Sequence, residues 1–174
     1  MVHISLKNGT AVVGIFLATM LILAPSFAMA QQANLLSGPQ RALSNPDHSV
    51  TIRGKVGGVG GVHDTIVTII ARAASVTALV QCVNPGGNLF PPEEVQIGAI
   101  EHSKDFIKKP HGEKLNYAIT LGPPTAEEIQ CSHGNNAGWS TQLDSVIYNG
   151  LTVSAMSNNI QDGPIPTTPS TIRA

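Results

Sequence analysis

Thr65-Ile66-Val67-Thr68-Ile69-Ile70-Ala71 and, four residues later, Val76-Thr77-Ala78-Leu79-Val80-Gln81-Cys82 decide the fold. The first run is β-branched at every position but the last, which favours a pleated surface over a helix. Apolar residues occupy both of its faces, the pattern of a central strand. The second run alternates. Val76, Ala78, Val80 and Cys82 share one face, opposite Thr77, Leu79 and Gln81, so the Cys82 sulfur points toward the core. Ala73-Ala74, between the runs, reads as a tight connection.

The same period of two continues on both sides. Upstream, Val50, Ile52 and Val56 face one way and Thr51, Arg53 and Lys55 the other. Downstream, Asn84-Pro85-Gly86-Gly87-Asn88 is a dense turn signal, Pro91-Pro92 extends it, and Val95, Ile97 and Ala99 alternate again. Residues 101–112 are polar and read as a long exposed hairpin connection. Leu115, Tyr117, Ile119 and Leu121 make the cleanest strand, ended by Gly122-Pro123-Pro124. Thr125 to Gln130 reads as one helical turn, with Thr125 and Glu128 at capping-box spacing. Trp139, Thr141, Leu143, Val146 and Tyr148 form a strand with an irregularity near Asp144-Ser145. Asn149-Gly150 then signals a two-residue hairpin into Leu151, Val153 and Ala155.

Seven or so short strands spaced by Gly and Pro turns, without an amphipathic helix, predict an all-β fold. The expected form is an immunoglobulin-like β-sandwich of antiparallel strands over residues 49–156, with an antiparallel barrel as the alternative. Residues 31–48, broken by Gly38-Pro39 and Asn45-Pro46, read as a flexible lead-in. Residues 157–174, with Pro164, Pro166 and Pro169, read as an extended tail.

The N-terminus reads as an export signal. Lys7 precedes an apolar run from Ala11 to Ala24, and Ala28-Met29-Ala30 has the small-x-small form of a cleavage site. The run is short for a bilayer span of roughly 20 residues. A cleaved signal peptide over 1–30 is therefore expected, with Gln31 as the new N-terminus and no membrane span afterwards. The competing reading keeps the segment as an anchor. Cys82 and Cys131 are the two cysteines, and both lie in the exported part. An oxidising compartment favours one bridge between them. Closing a loop of about 50 residues is worth about 4 kcal/mol in the chain-entropy account. The rival is a thiolate metal site using Cys131 and His133.

The stretch Gln81-Cys82-Val83-Asn84-Pro85-Gly86-Gly87-Asn88, with Leu121-Gly122-Pro123-Pro124, Cys131 and Gly134-Asn135-Asn136 downstream, resembles an uncharacterised family of small secreted bacterial and archaeal β-proteins. The shared feature is Cys-x-Asn-x-Gly-Gly-Asn with a second downstream cysteine, and the likeness covers about residues 65–155. It implies a disulfide-stapled β domain outside the cytoplasm and no activity. His133 and the basic 104–111 segment are not part of that pattern.

The chain has 174 residues, 12% charged, and a net charge of -1. That balance excludes a strongly basic nucleic-acid binder and an acidic solvating tail. No Gly-x-Ser-x-Gly is present for a hydrolase, and Ser132 beside His133 is mere adjacency. Glu93-Glu94 and Glu127-Glu128 read as solvated loop charge. His48, His63, His102, His111 and His133 form no His-x-His or His-Glu-x-x-His, although a surface zinc or copper site with His63, Asp64, His102 or His133 is an alternative. Gly57–Gly61 lacks the following helix that a phosphate loop needs. Lys104, Lys108 and Lys109 make a small basic patch on the connection. Trp139 either stacks on a sugar or packs on the disulfide, the second being favoured. The expectation is an exported, non-catalytic binding or cell-surface module without a cofactor and with an unidentified protein or glycan partner. A metal-binding protein comes second and a secreted hydrolase third.

Overall fold

A computed structural model describes residues 36–57, 63–110, 114–132, 138–158 and 160–174. The proposed export signal and the Gly58–Gly61 part of the glycine run lie outside them. The described residues form β1 (Leu36–Ser44), β2 (Val50–Val56), β3 (Thr65–Val83), β4 (Glu93–Lys108), β5 (Leu115–Leu121), β6 (Ser140–Asn149), β7 (Thr152–Ser157), β8 (Ile160–Pro166) and β9 (Ile172–Arg173). They build two antiparallel sheets. The smaller has the order β1-β2-β5; the larger runs β8-β7-β3-β6-β9, with β4 on the other edge of β3. The fold is all-β and sandwich-like, as the alternation predicts.

Both runs quoted above belong to one strand of 19 residues. Ala73-Ala74 is therefore a bulge rather than a connection. The β3–β4 register shifts between Ala73 and Val76, and the shift changes which side chains face inward. Val67, Ile69, Ala71 and Ala73 are fully buried before it, and Val76, Ala78, Val80 and Cys82 after it. A reversal of parity looks in sequence like one strand ending and another beginning.

Asn149-Gly150 is not a hairpin. Ser75 pairs with Asn149 and Arg72 with Thr152, so β6 and β7 follow one another in the same direction along one edge of β3. Gly150 falls opposite Ala74, and a Cβ on it would sit 2.8 Å from the Ala74 Cβ. A type I′ turn needs positive φ at both central residues. Gly150 has it, at 61°, and Asn149 does not. The reversal comes later, where Ser157 pairs with Ile160 and Asn158 has a φ of 49°. The irregularity expected near Asp144 is present, as a register shift opposite Leu79/Val80.

Three polar segments are strands rather than connections. Residues 101–108 continue β4 to Lys108. The strand lies on a sheet edge, where charged side chains are tolerated and discourage further pairing. Much of the lead-in is β1, whose Gly38-Pro39 sits in a bulge between Ser37 and Arg41. Much of the tail is β8 and β9. Pro39, Pro164 and Pro166 are all on edge strands, where a missing N–H costs no ladder bond. The C-terminal residues also join the structure: Thr168 N–H donates to the Gln40 carbonyl of the small sheet at 2.7 Å, and Ala174 and Val146 exchange two bonds of 2.8 Å within the large sheet.

The main core lies between the sheets. It combines Val50, Ile52, Val56, Tyr117, Ile119 and Leu121 from the small sheet with Val67 to Val76, Val146, Tyr148, Leu151, Val153 and Ala155 from the large one. A second, smaller cluster gathers Ala78, Val80, Cys82, Ile129 and Cys131.

Candidate functional site

The cysteines form the expected bridge, Cys82–Cys131, with Cα atoms 5.9 Å apart, inside the ordinary range. Trp139 packs against this cluster and meets Phe90 with ring centroids 4.9 Å apart. The Thr141 hydroxyl donates to the Cys131 sulfur at 3.3 Å. The motif after Cys82 is a tethered turn. Asn84 Oδ1 accepts the Asn88 N–H at 2.9 Å, Gly87 adopts a φ of 79°, and Phe90 N–H returns to the Cys82 carbonyl at 2.9 Å. Because Cys131 is oxidised, the thiolate of the Cys131/His133 metal site does not exist. His133 and His111 lie outside the described residues. Among those described, no three His, Cys, Asp or Glu side chains are grouped to hold a metal ion. Asp64 instead pairs with Lys109 at 2.7 Å.

The other sequence candidates separate. Glu93 accepts the Ser132 hydroxyl at 2.9 Å and its N–H at 3.2 Å, which pins the segment beside Cys131. Glu128 accepts the Thr125 N–H at 2.7 Å and hydroxyl at 2.9 Å. The capping-box contact thus exists, in a turn rather than a helix. Lys104 lies over the Phe106 ring at 5.5 Å, and Lys108 is buried, so these lysines form no common patch.

Asp47, Glu128, Tyr117 and Tyr148 have displaced pKa values, and each has a structural cause. The Ser49 hydroxyl and N–H hold Asp47 below the usual carboxylate range. The Thr125 N–H, then its hydroxyl, does the same for Glu128. Burial raises Tyr117, whose hydroxyl bonds Gln40 Oε1. Burial pushes Tyr148 up to about 12, with the Asp47 charge adding to it; its hydroxyl donates to the His48 and Gly122 carbonyls at 2.8 and 2.9 Å. Displaced groups gathered in a cleft would suggest chemistry; these are spread over loops and core.

Each outer face carries a concavity among the described residues. On the large sheet, a cleft of about 500 Å³ is lined by Arg72, Glu101, Thr152 and Ser154 among others. Arg72 and Glu101 are cross-strand partners, so its two charges oppose. On the small sheet, a cleft of about 670 Å³ is lined by Ser37, Arg41, Arg53, Lys55, Lys114 and Asn116, over Gly54 and Tyr117. The pleat sends Arg53 and Lys55 outward while Val50, Ile52 and Val56 go in. The β1 bulge turns Gln40 inward, where it is 1% exposed, and leaves Arg41 facing out. Gly54 is required beneath, since a Cβ there would collide with Gln40 Oε1 and the Tyr117 hydroxyl. Arg41 stands directly opposite Arg53 in the ladder. All four cations are exposed, and no acidic side chain lines the cleft among the described residues. Sequence alone exposes Arg53 and Lys55; Arg41 and Lys114 join them only once β1 and β5 are placed on either side of β2.

No known protein family matches the chain, and no curated protein matches it. Among the described residues no helix is long and apolar enough to cross a membrane.

Proposed function

We propose that the protein is an exported, non-catalytic binding module of immunoglobulin-like build. The observation that carries this reading is the open cationic cleft on the small sheet. Its walls are strands, and the charged side chains that line it have one sign. Such a surface holds a ligand by charge and hydrogen bonding. The immunoglobulin-like assignment is supported by strand order: β1-β2-β5 on one sheet, and on the other β4, β3, β6 and β9 side by side, with β7 and β8 extending it beyond β3. That partition matches the ABE and CFG groups of such sandwiches. Export is supported by the bridge, which persists in oxidising compartments, and by the apolar run from Ala11 to Ala24 followed by Ala28-Met29-Ala30. The secreted-family resemblance rests on the Cys82–Asn88 turn and points the same way.

Two measurements test the proposal. Intact mass of the exported protein should begin at Gln31 and rise by two hydrogens on reduction. A retained N-terminal segment would overturn cleavage. A broad hydrolase panel should give no turnover that a single substitution abolishes; such a loss would overturn the non-catalytic reading.

A further inference from the structure

We infer that the cleft on the outer face of β1, β2 and β5 binds a linear acidic polysaccharide, a polyuronate, through Arg41, Arg53, Lys55 and Lys114. The inference rests on the binding-module reading and names the ligand class of the same site.

The arrangement is costly for the fold alone. Like charges directly opposite in an antiparallel ladder destabilise the pair, yet Arg41 faces Arg53. Lys55 follows two residues along the same face, and Lys114 flanks it from the residue just before β5. The chain as a whole has a net charge of -1, so this concentration of cations is local. A ligand that brings negative charge along an extended path relieves the repulsion. The two guanidinium groups can each engage a carboxylate with a planar pair of donors. Ser37 and Asn116 supply neutral hydrogen-bonding groups between the cations, which suits hydroxyls lying between carboxylates.

Other polyanions fit less well. Single-stranded nucleic acid is held on exposed aromatic platforms. The aromatic in this cleft, Tyr117, is 4% exposed and its hydroxyl is engaged by Gln40. Duplex DNA is read by an element that enters its groove, whereas this site is itself concave. A flat anionic bilayer cannot reach into a concavity.

The test is calorimetric titration of the disulfide-bonded protein with polygalacturonate. Neutral dextran, single-stranded DNA and phosphatidylserine vesicles serve as comparisons. Saturable polygalacturonate binding, absent with dextran, is expected. Arg41→Glu with Arg53→Glu should weaken it about tenfold or more while leaving thermal melting intact, because both side chains are exposed. Arg72→Glu, on the other sheet, should leave binding unchanged. Equal loss with Arg72→Glu would overturn the site. Binding of DNA or vesicles but not polygalacturonate, sensitive to Arg41 and Arg53, would overturn the polyuronate assignment and keep the binding module. No binding to any probe would overturn both the ligand class and the cleft as the working surface.

Discussion

The two ends of β3 are held in different ways. From Val67 to Val76 the strand lies under the small sheet, and its inward side chains meet Ile52, Ile119, Leu121 and their neighbours in one apolar core. From Ala78 to Cys82 no residue of β1, β2 or β5 belongs to the cluster around it. Ile129, Cys131 and Trp139 cover that stretch instead. Where a facing sheet exists, burial of apolar surface supplies the stability at roughly 25 cal/mol per Å². Where it ends, five buried residues and a covalent bridge take over. The lesson is that the disulfide replaces a missing layer of sandwich rather than reinforcing an existing one.

The strongest way to break this comparison is to remove the bridge. Cys82→Ala with Cys131→Ala should lower unfolding free energy by about 4 kcal/mol in the chain-entropy account. The loss should be uneven. Amide hydrogen exchange should accelerate first around Ala78–Val83 and Ile129–Ser132, while β2, β5 and Val67–Ala73 keep their protection. Uniform acceleration over both ends would show that the staple supports the whole sandwich.

The next effect tests the boundary between the two ends. Gly150 lies opposite Ala74 with a φ of 61°. Gly150→Ala puts a side chain into a left-handed conformation and a Cβ against Ala74. A destabilisation of about 2–3 kcal/mol is expected by chemical denaturation. Adding Ala74→Gly should recover part of it, since it removes the contact but not the backbone strain. A hairpin tip at Asn149-Gly150 would show no such coupling, and its absence would refute the continuous register.

That position also marks how far the sequence could be read. The alternation at Val50–Val56, Val76–Cys82 and Leu115–Leu121 is legible because one face of each strand meets the core and the other meets water. The bridge is legible because Cys82 and Cys131 are the two cysteines and both follow the proposed export signal; parity with Val76, Ala78 and Val80 adds that Cys82 points inward. What sequence hides is continuity. A bulge at Ala73–Val76 imitates a strand break, and a glycine needed for close approach to Ala74 imitates a turn. Edge strands are hidden too, because β1, β4 and β8 accept prolines and charges that read as loop. The cationic cleft was half visible for the same reason. Arg53 and Lys55 sit on a clear strand, whereas Arg41 sits on one disguised by Gly38-Pro39.

A smaller effect separates the ends by their response to base. Tyr148 belongs to the sandwich core, and its hydroxyl bonds two carbonyls. Tyr148→Phe should cost about 1–2 kcal/mol. Its pKa is pushed up to about 12 by burial, so the unfolded chain loses the phenolic proton first. The stability this group contributes is complete below the ordinary tyrosine pKa near 10 and is lost as pH rises toward 12. Phenolate absorbance should therefore appear together with loss of β-sheet signal. Titration of Tyr148 near pH 10 in folded protein would contradict its burial.

The smallest effect lies at the stapled end and has the opposite sign. Glu128 is exposed, and the Thr125 N–H and hydroxyl hold its pKa below the ordinary value. A lowered carboxylate contributes stability above its unfolded pKa and loses it as pH falls through the folded one. Carbon-detected NMR titration should find Glu128 ionising below the ordinary glutamate pKa. Thr125→Ala removes the hydroxyl donor but keeps the N–H, the larger cause, so the displacement should shrink without vanishing. Complete loss in that variant would show that the turn leading to Ile129 and Cys131 is organised by the hydroxyl rather than by the backbone. If so, Glu128 should also influence how readily the bridge end opens in acid, which exchange at Ile129 and Cys131 would register.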